Sequence, residues 1–115
     1  MKKLWCLTLL TITLLSSVFA VTLEWDPSPD SWVAGYAIHY GTMSSNYMIR
    51  LDVGNSTTCT ITNLSQGVTY YFVATAYTSD GQESLPSNEV AYTVPIISTN
   101  IPPSQPQDFT LIGIK

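Results

Sequence analysis

The sequence is poor in charge, and above all in positive charge. Only 10% of its 115 residues are charged, and four Lys and Arg stand against eight Asp and Glu, a net charge of −4. A soluble domain averages about 25% charged residues. Lys2 and Lys3 account for half of the basic side chains, so from Val21 onward Arg50 and Lys115 face all eight acids and the net charge is −6. A nucleic-acid binder needs a positive surface to displace counterions from phosphates, and that role is excluded. Histidine occurs once, at His39, and cysteine twice, at Cys6 and Cys59. That inventory excludes a closed Cys/His zinc site within one chain and a disulfide framework. No Gly-x-Ser-x-Gly and no glycine-rich phosphate loop is present, so the usual local signatures of acyl and phosphoryl transfer are missing.

Long apolar runs are also scarce, with one exception. Residues 4–15 (LWCLTLLTITLL) carry no charge and follow Lys2-Lys3, and Ser16-Ser17-Val18-Phe19-Ala20 comes next. A basic start, a short apolar stretch and small or aliphatic residues at Val18 and Ala20 predict a secretory signal over residues 1–20, cut between Ala20 and Val21. The alternative is an uncleaved anchor, the run stretching to Leu23 and approaching the ~20 residues a bilayer span needs. Cleavage places the protein outside the cytoplasm, secreted or at the cell surface, the periplasm included, with no stable membrane insertion. Cys6 leaves with the signal, and Cys59 is expected to be a buried thiol beside Ile61.

What the remainder does have is alternation. Between Val21 and Val94 no segment repeats apolar residues at helical spacing over about 11 residues, and the period is two. Val21, Leu23 and Trp25 alternate with Thr22 and Glu24; Tyr36, Ile38 and Tyr40 with Ala37 and His39; Tyr47, Ile49 and Leu51 with Met48 and Arg50. Cys59 and Ile61 lie among threonines, Tyr70, Phe72, Ala74 and Ala76 share a face, and Val90, Tyr92 and Val94 follow. Turn chemistry separates these runs, from Asp26-Pro27-Ser28-Pro29 to Ser79-Asp80-Gly81-Gln82. Six short strands at this spacing predict an all-β, two-sheet sandwich, because one layer cannot cover its own apolar face.

The order of these pieces resembles a fibronectin type III domain of the bacterial secreted type, over residues 21–94. Val-Thr-Leu-Glu-Trp-Asp-Pro resembles the family's strand B, with Trp25 as the core tryptophan, and Gly-Tyr-Ala-Ile-His-Tyr (35–40) resembles strand C. Leu64 with Tyr70 resembles the E–F corner, residues 70–77 resemble strand F, and residues 83–90 resemble the end of the F–G loop and strand G. The resemblance implies an immunoglobulin-like sandwich in which the Tyr70 hydroxyl returns to the backbone. It departs from the family at the start: signal cleavage leaves almost nothing before strand B, so the first strand is expected to be missing. Residues 95–107 read as a proline-rich linker. Residues 108–115 read as a strand or docking tail, with Phe109, Leu111 and Ile112 expected to donate a strand to the uncovered edge, within one molecule or from a neighbour.

No catalytic residue and no cofactor is expected, since His39 has no evident partner for a nucleophilic triad. The leading expectation is a non-enzymatic module that binds an extracellular protein or a glycan, or serves adhesion. The alternative is a structural subunit assembling by strand donation into an extracellular fibre, an envelope layer or a virion decoration. Candidate contact residues are Trp32, Asp80 and Glu83 on the loops and His39, Tyr71, Val73 and Tyr77 on the outer C–F face, because Tyr and Trp favour interfaces. Asp26, Asp30 and Asp80 form a weaker calcium candidate, since hard oxygen ligands suit that ion.

Overall fold

The computed structural model describes residues 7–15, 18–97 and 103–106. Seven strands follow one another: β1 (Leu7–Leu15), β2 (Val18–Trp25), β3 (Val33–Gly41), β4 (Ile49–Gly54), β5 (Thr58–Leu64), β6 (Thr69–Thr78) and β7 (Val90–Thr93). They form two antiparallel sheets, β1-β2-β5 and β4-β3-β6-β7. No helix occurs among the described residues. The expected all-β sandwich is therefore the observed fold.

Alternation decides what is buried. Along β2, Phe19, Val21, Leu23 and Trp25 turn inward, and they meet Tyr36 and Ile38 of β3 and Phe72, Ala74 and Ala76 of β6. Phe72, Leu23, Ile38 and Val21 are entirely buried, and removal of such side chains from water is the main favourable term in folding. Trp25 and Tyr36 meet edge to face, their ring centroids 5.9 Å apart, while Tyr40 stacks on Phe72 at 5.5 Å. At the turn after β5 the Ser65 N–H donates to the Tyr70 hydroxyl at 3.1 Å, which is the corner contact implied by the sequence.

Three details bear on these expectations. The first concerns the edge of β2. In the full chain it is not open, because β1 pairs along it from Leu7 opposite Trp25 to Leu15 opposite Val18. A run of leucine and threonine is as competent for an edge strand as for a leader, so hydropathy alone does not separate the two. The bond between Ala20 and Val21 lies inside β2, Thr13 opposite the one and Ile12 opposite the other. The second concerns β4. Ile49 and Leu51 lie opposite Tyr40 and Ile38, yet they are 46% and 38% exposed. The facing sheet has one strand fewer, and β4 is the outermost strand of its own sheet. The third is Cys59, which sits opposite Leu23 and is half-buried as a free thiol. Burial pushes its thiol pKa up, which keeps it in the unreactive protonated form. The strand expected over residues 108–115 lies outside the described residues.

The chain leaves β7 at the pole where β2 begins. Phe19 lies opposite Leu64, and the turn that follows Leu64 holds the end of β7 through Gly67 N–H to Val94 O at 2.8 Å and Val94 N–H to Val68 O at 3.0 Å. The Ile97 N–H then donates to Gln66 Oε1 at 3.1 Å.

Candidate functional site

The outer face of the four-stranded sheet is built from β6 at its centre. Register sets Thr75 beside Ala37 and Ala37 beside Asp52, and sets Val73 beside His39 and His39 beside Arg50. Tyr77 lies opposite Gly35, and the missing side chain there matters. A Cβ on Gly35 would stand 2.4 Å from the Tyr77 hydroxyl and 2.6 Å from its Cζ. The phenol therefore lies flat across the glycine and donates to Asp52 Oδ1 at 2.7 Å. The Arg50 guanidinium covers the same ring at 5.7 Å from its centroid, a favourable position for a cation over a π face.

The segment after β6 folds back against this face. Glu83 forms a bridge with Tyr77. The Ser84 N–H donates to Ala76 O at 2.8 Å while its hydroxyl accepts the Ala76 N–H at 2.9 Å. Ser87 repeats the pattern with Ala74, at 2.8 and 2.9 Å. Two serine hydroxyls thus stand in for the carbonyls of a neighbouring strand, and the β6 ladder is satisfied before β7 begins. This placement brings Glu83 over the sheet. Its Oε1 accepts the Thr75 hydroxyl at 2.7 Å, contacts His39 Nε2 at 3.2 Å and lies 3.4 Å from Arg50 Nε. Burial alone would raise the Glu83 pKa, but the hydrogen bonds from Thr75 and His39 and the Arg50 charge outweigh it and hold the carboxyl below its ordinary value.

Beside this cluster the surface is hollow. A cavity of about 290 Å³ is lined by His39, Tyr47, Val73, Thr75, Glu83, Ser84 and Pro86. Tyr47 is held by Glu89: its hydroxyl donates to Glu89 Oε2, as does the Ser45 N–H at 3.0 Å, while Ser44 Oγ donates to Glu89 Oε1 at 2.8 Å. Burial and the Glu89 carboxylate together push the Tyr47 phenol up to about 12.

Of the predicted contact residues, the structure gathers His39, Val73 and Glu83 around one hollow and sets Tyr77 next to it through Arg50. His39, expected without a partner, touches both Thr75 Oγ1 and Glu83 Oε1. Val73 faces outward as expected but is only 3% exposed. Tyr71 is half-buried and lies opposite Gly41. Trp32 and Asp80 stay apart from the cluster on their loops. Trp32 is 60% exposed, and Asp80 accepts a hydrogen bond from the Thr78 hydroxyl. Asp26, Asp30 and Asp80 are not brought together: among the described residues no three His, Cys, Asp or Glu side chains gather for a metal. Arg50, Thr75 and Tyr47 are not among the expected contact residues. Of these Thr75 carried a signal, its place on the outward face of strand F beside Val73.

A fibronectin type III family profile matches residues 9–93, most of the chain, from within β1 to the end of β7. The chain belongs to the fibronectin type III family. A Kelch domain-containing protein of Saccharolobus solfataricus is 38% identical over 96 residues, spanning 84% of this chain; the chain corresponds to only 12% of that protein's length. Among solved structures, the fn3 domain of human contactin 1 superposes with a TM-score of 0.64 at 19% identity, covering 81% of this chain and 79% of its own. An Fn3-like protein from Clostridium thermocellum gives 0.54 at 24%, covering 83% and 94%, and a myokine gives 0.65 at 18%, covering 83% and 98%. At these identities the solved structures bear on the fold. Fibronectin type III domains commonly serve as binding or adhesion modules and are typically non-enzymatic.

Proposed function

We propose that this domain is an exported, non-enzymatic binding module that engages another protein through the outer face of its four-stranded sheet. The observation that carries the reading is the hollow of about 290 Å³ beside the His39–Thr75–Glu83 cluster. Its walls combine apolar Val73 and Pro86 with an aromatic rim at Tyr47 and an ionised acceptor at Glu83. Few, fixed polar groups in a largely apolar concavity are the usual composition of a recognition site. The fit is to a protein side chain with a short apolar stem and a hydrogen-bond donor at its tip.

The same geometry argues against chemistry. The Thr75 hydroxyl donates to Glu83, not to His39, and one imidazole nitrogen, Nε2, faces both neighbours. A triad needs the base to take the nucleophile's proton on one nitrogen while an acid orients the other. Export rests on the leader-like residues 1–20.

The test is selection of displayed peptides on the domain, followed by mapping of amide shifts. Selected peptides are expected to move the signals of His39, Val73 and Thr75 and to lose tenfold or more in affinity on Glu83→Gln. Binding centred on Trp32, unaffected by Glu83→Gln, overturns the reading. So does affinity for glycans alone.

A further inference from the structure

We propose that when the leader is removed at Ala20–Val21, residues 109–114 of the same chain take the place of β1 on the edge of β2, in the same register. Two observations meet here. The first is a repeat. Leu7-Thr8-Leu9-Leu10-Thr11-Ile12 and Phe109-Thr110-Leu111-Ile112-Gly113-Ile114 align without a gap: Thr8 and Thr110, Leu9 and Leu111, and Ile12 and Ile114 are identical, Leu7 and Phe109 and Leu10 and Ile112 are both apolar, and Thr11 and Gly113 differ. The second is how β1 pairs. Leu7 lies opposite Trp25, Thr8 opposite Glu24, Leu9 opposite Leu23, then, past a bulge at Leu10, Thr11 opposite Thr22 and Ile12 opposite Val21. Carried onto the tail, this register puts Phe109 opposite Trp25, Leu111 opposite Leu23 and Ile114 opposite Val21, with Ile112 at the bulge. The repeat ends opposite Val21, the residue with which the cleaved chain would begin.

The edge has a reason to be refilled. Cleavage removes all of β1, and Phe19 and Ala20 of the core with it, and leaves Val21–Trp25 with one row of backbone groups unpaired, although Val21, Leu23 and Trp25 are core residues of the full chain. Such an edge pairs with whatever strand is at hand, and main-chain hydrogen bonds supply the affinity while alternate side chains supply the register. The tail also has the reach. The chain exits beside Gln66, at the pole where β2 begins, and the repeat must start at the other pole, beside Trp25. The separation is the length of β2, about 26 Å at ~3.3 Å per residue. The linker 98–107 spans about 31 Å even as a polyproline-type extended segment, and Pro102, Pro103 and Pro106 favour that form.

The inference rests on removal of residues 1–20, so its test uses a chain made to begin at Val21 alongside the full chain. N-terminal sequencing of the exported protein checks the cleavage separately. Thr22 sits on the outer face of its sheet, its hydroxyl 2.8 Å from that of Thr60. The pair Thr22→Cys and Gly113→Cys therefore places two thiols opposite each other only if the proposed register forms. In the chain beginning at Val21, mild oxidation is expected to close this bond within one molecule. In the full chain, where β1 holds the edge, it is expected to stay open, and Leu9→Pro with Ile12→Pro in that chain is expected to let it close. Leu111→Pro is expected to lower the melting temperature of the shorter chain by about 5 °C or more and to leave the full chain unchanged. Failure of the thiols to join in the shorter chain, or an unfolded shorter chain, overturns the proposal. A bond formed only between two molecules overturns closure in one chain and favours assembly by exchange.

Discussion

The two outer faces of the sandwich differ more than its two inner ones. On the three-stranded sheet the exposed side is a lawn of short hydroxyls, Thr22 meeting Thr60 at 2.8 Å and Thr58 reaching back to Leu23 O at 3.1 Å. Such residues fit a pleated surface and ask little of their neighbours. On the four-stranded sheet the polar outward residues near the centre have specific partners: Tyr77 with Asp52, Arg50 over Tyr77, His39 and Thr75 with Glu83. A face that only has to be soluble needs no such order. The contrast is the reason the second face is the one proposed for contact.

The contrast can be broken most severely at Gly35. Gly35→Val forces the Tyr77 ring off the sheet and crowds the backbone carbon of Gly54, 3.1 Å from the new Cβ. The expected loss is about 2–3 kcal/mol, the scale of an overpacked site, read as a fall of roughly 10 °C or more in melting temperature. Next comes Glu83→Ala, which leaves the Thr75 hydroxyl and His39 without their acceptor. Glu83 is partly exposed, so the expected cost is about 1 kcal/mol, measured by urea denaturation, with m unchanged.

Acid should act on the same face. The backbone N–H of Gly54 and the Tyr77 hydroxyl hold Asp52 below its ordinary pKa. Glu83 is lowered as described, and Tyr47 and Ser44 lower Glu89. A carboxyl depressed in the folded state binds fewer protons there than in the unfolded chain. Its contribution is complete above the ordinary carboxylate range near pH 4 and is lost as pH falls through the folded value. Thermal stability is therefore expected to decline below about pH 4.5, and the decline is expected to be shallower in a chain carrying Asp52→Asn and Glu83→Gln. An equal decline in both would place the acid-sensitive groups elsewhere. The smallest effect belongs to the opposite face, where Thr60→Val keeps the branched shape and is expected to change stability by less than about 0.5 kcal/mol.

Much of the inner architecture could be read from alternation, because burying one side of a pleated strand imposes a period of two. Val21, Leu23, Trp25, Ile38 and Phe72 follow that rule. The same signal says which way a residue faces and not what lies beyond it. Ile49 and Leu51 point inward yet stay exposed because the opposite sheet stops short of them. Val73 points outward yet is covered because residues 83–87 fold against its strand. The His39–Glu83 contact joins residues 44 apart and depends on how that returning segment is fastened, which no local pattern encodes. The leader-like run at residues 7–15 was ambiguous for a different reason. Export machinery and a sheet edge both select apolar, uncharged residues, and only pairing with β2 shows the second use.

The double fastening of Ser84 and Ser87 to β6 has a consequence for variation. The segment is pinned at two points by its own hydroxyls and amides, and the side chains of Leu85 and Pro86 between them, both exposed, take no part in that bonding. A new side chain at Pro86, which lines the hollow, would therefore reshape that wall while the frame beneath keeps its spacing, so the shape of the proposed contact site can vary without a change of fold.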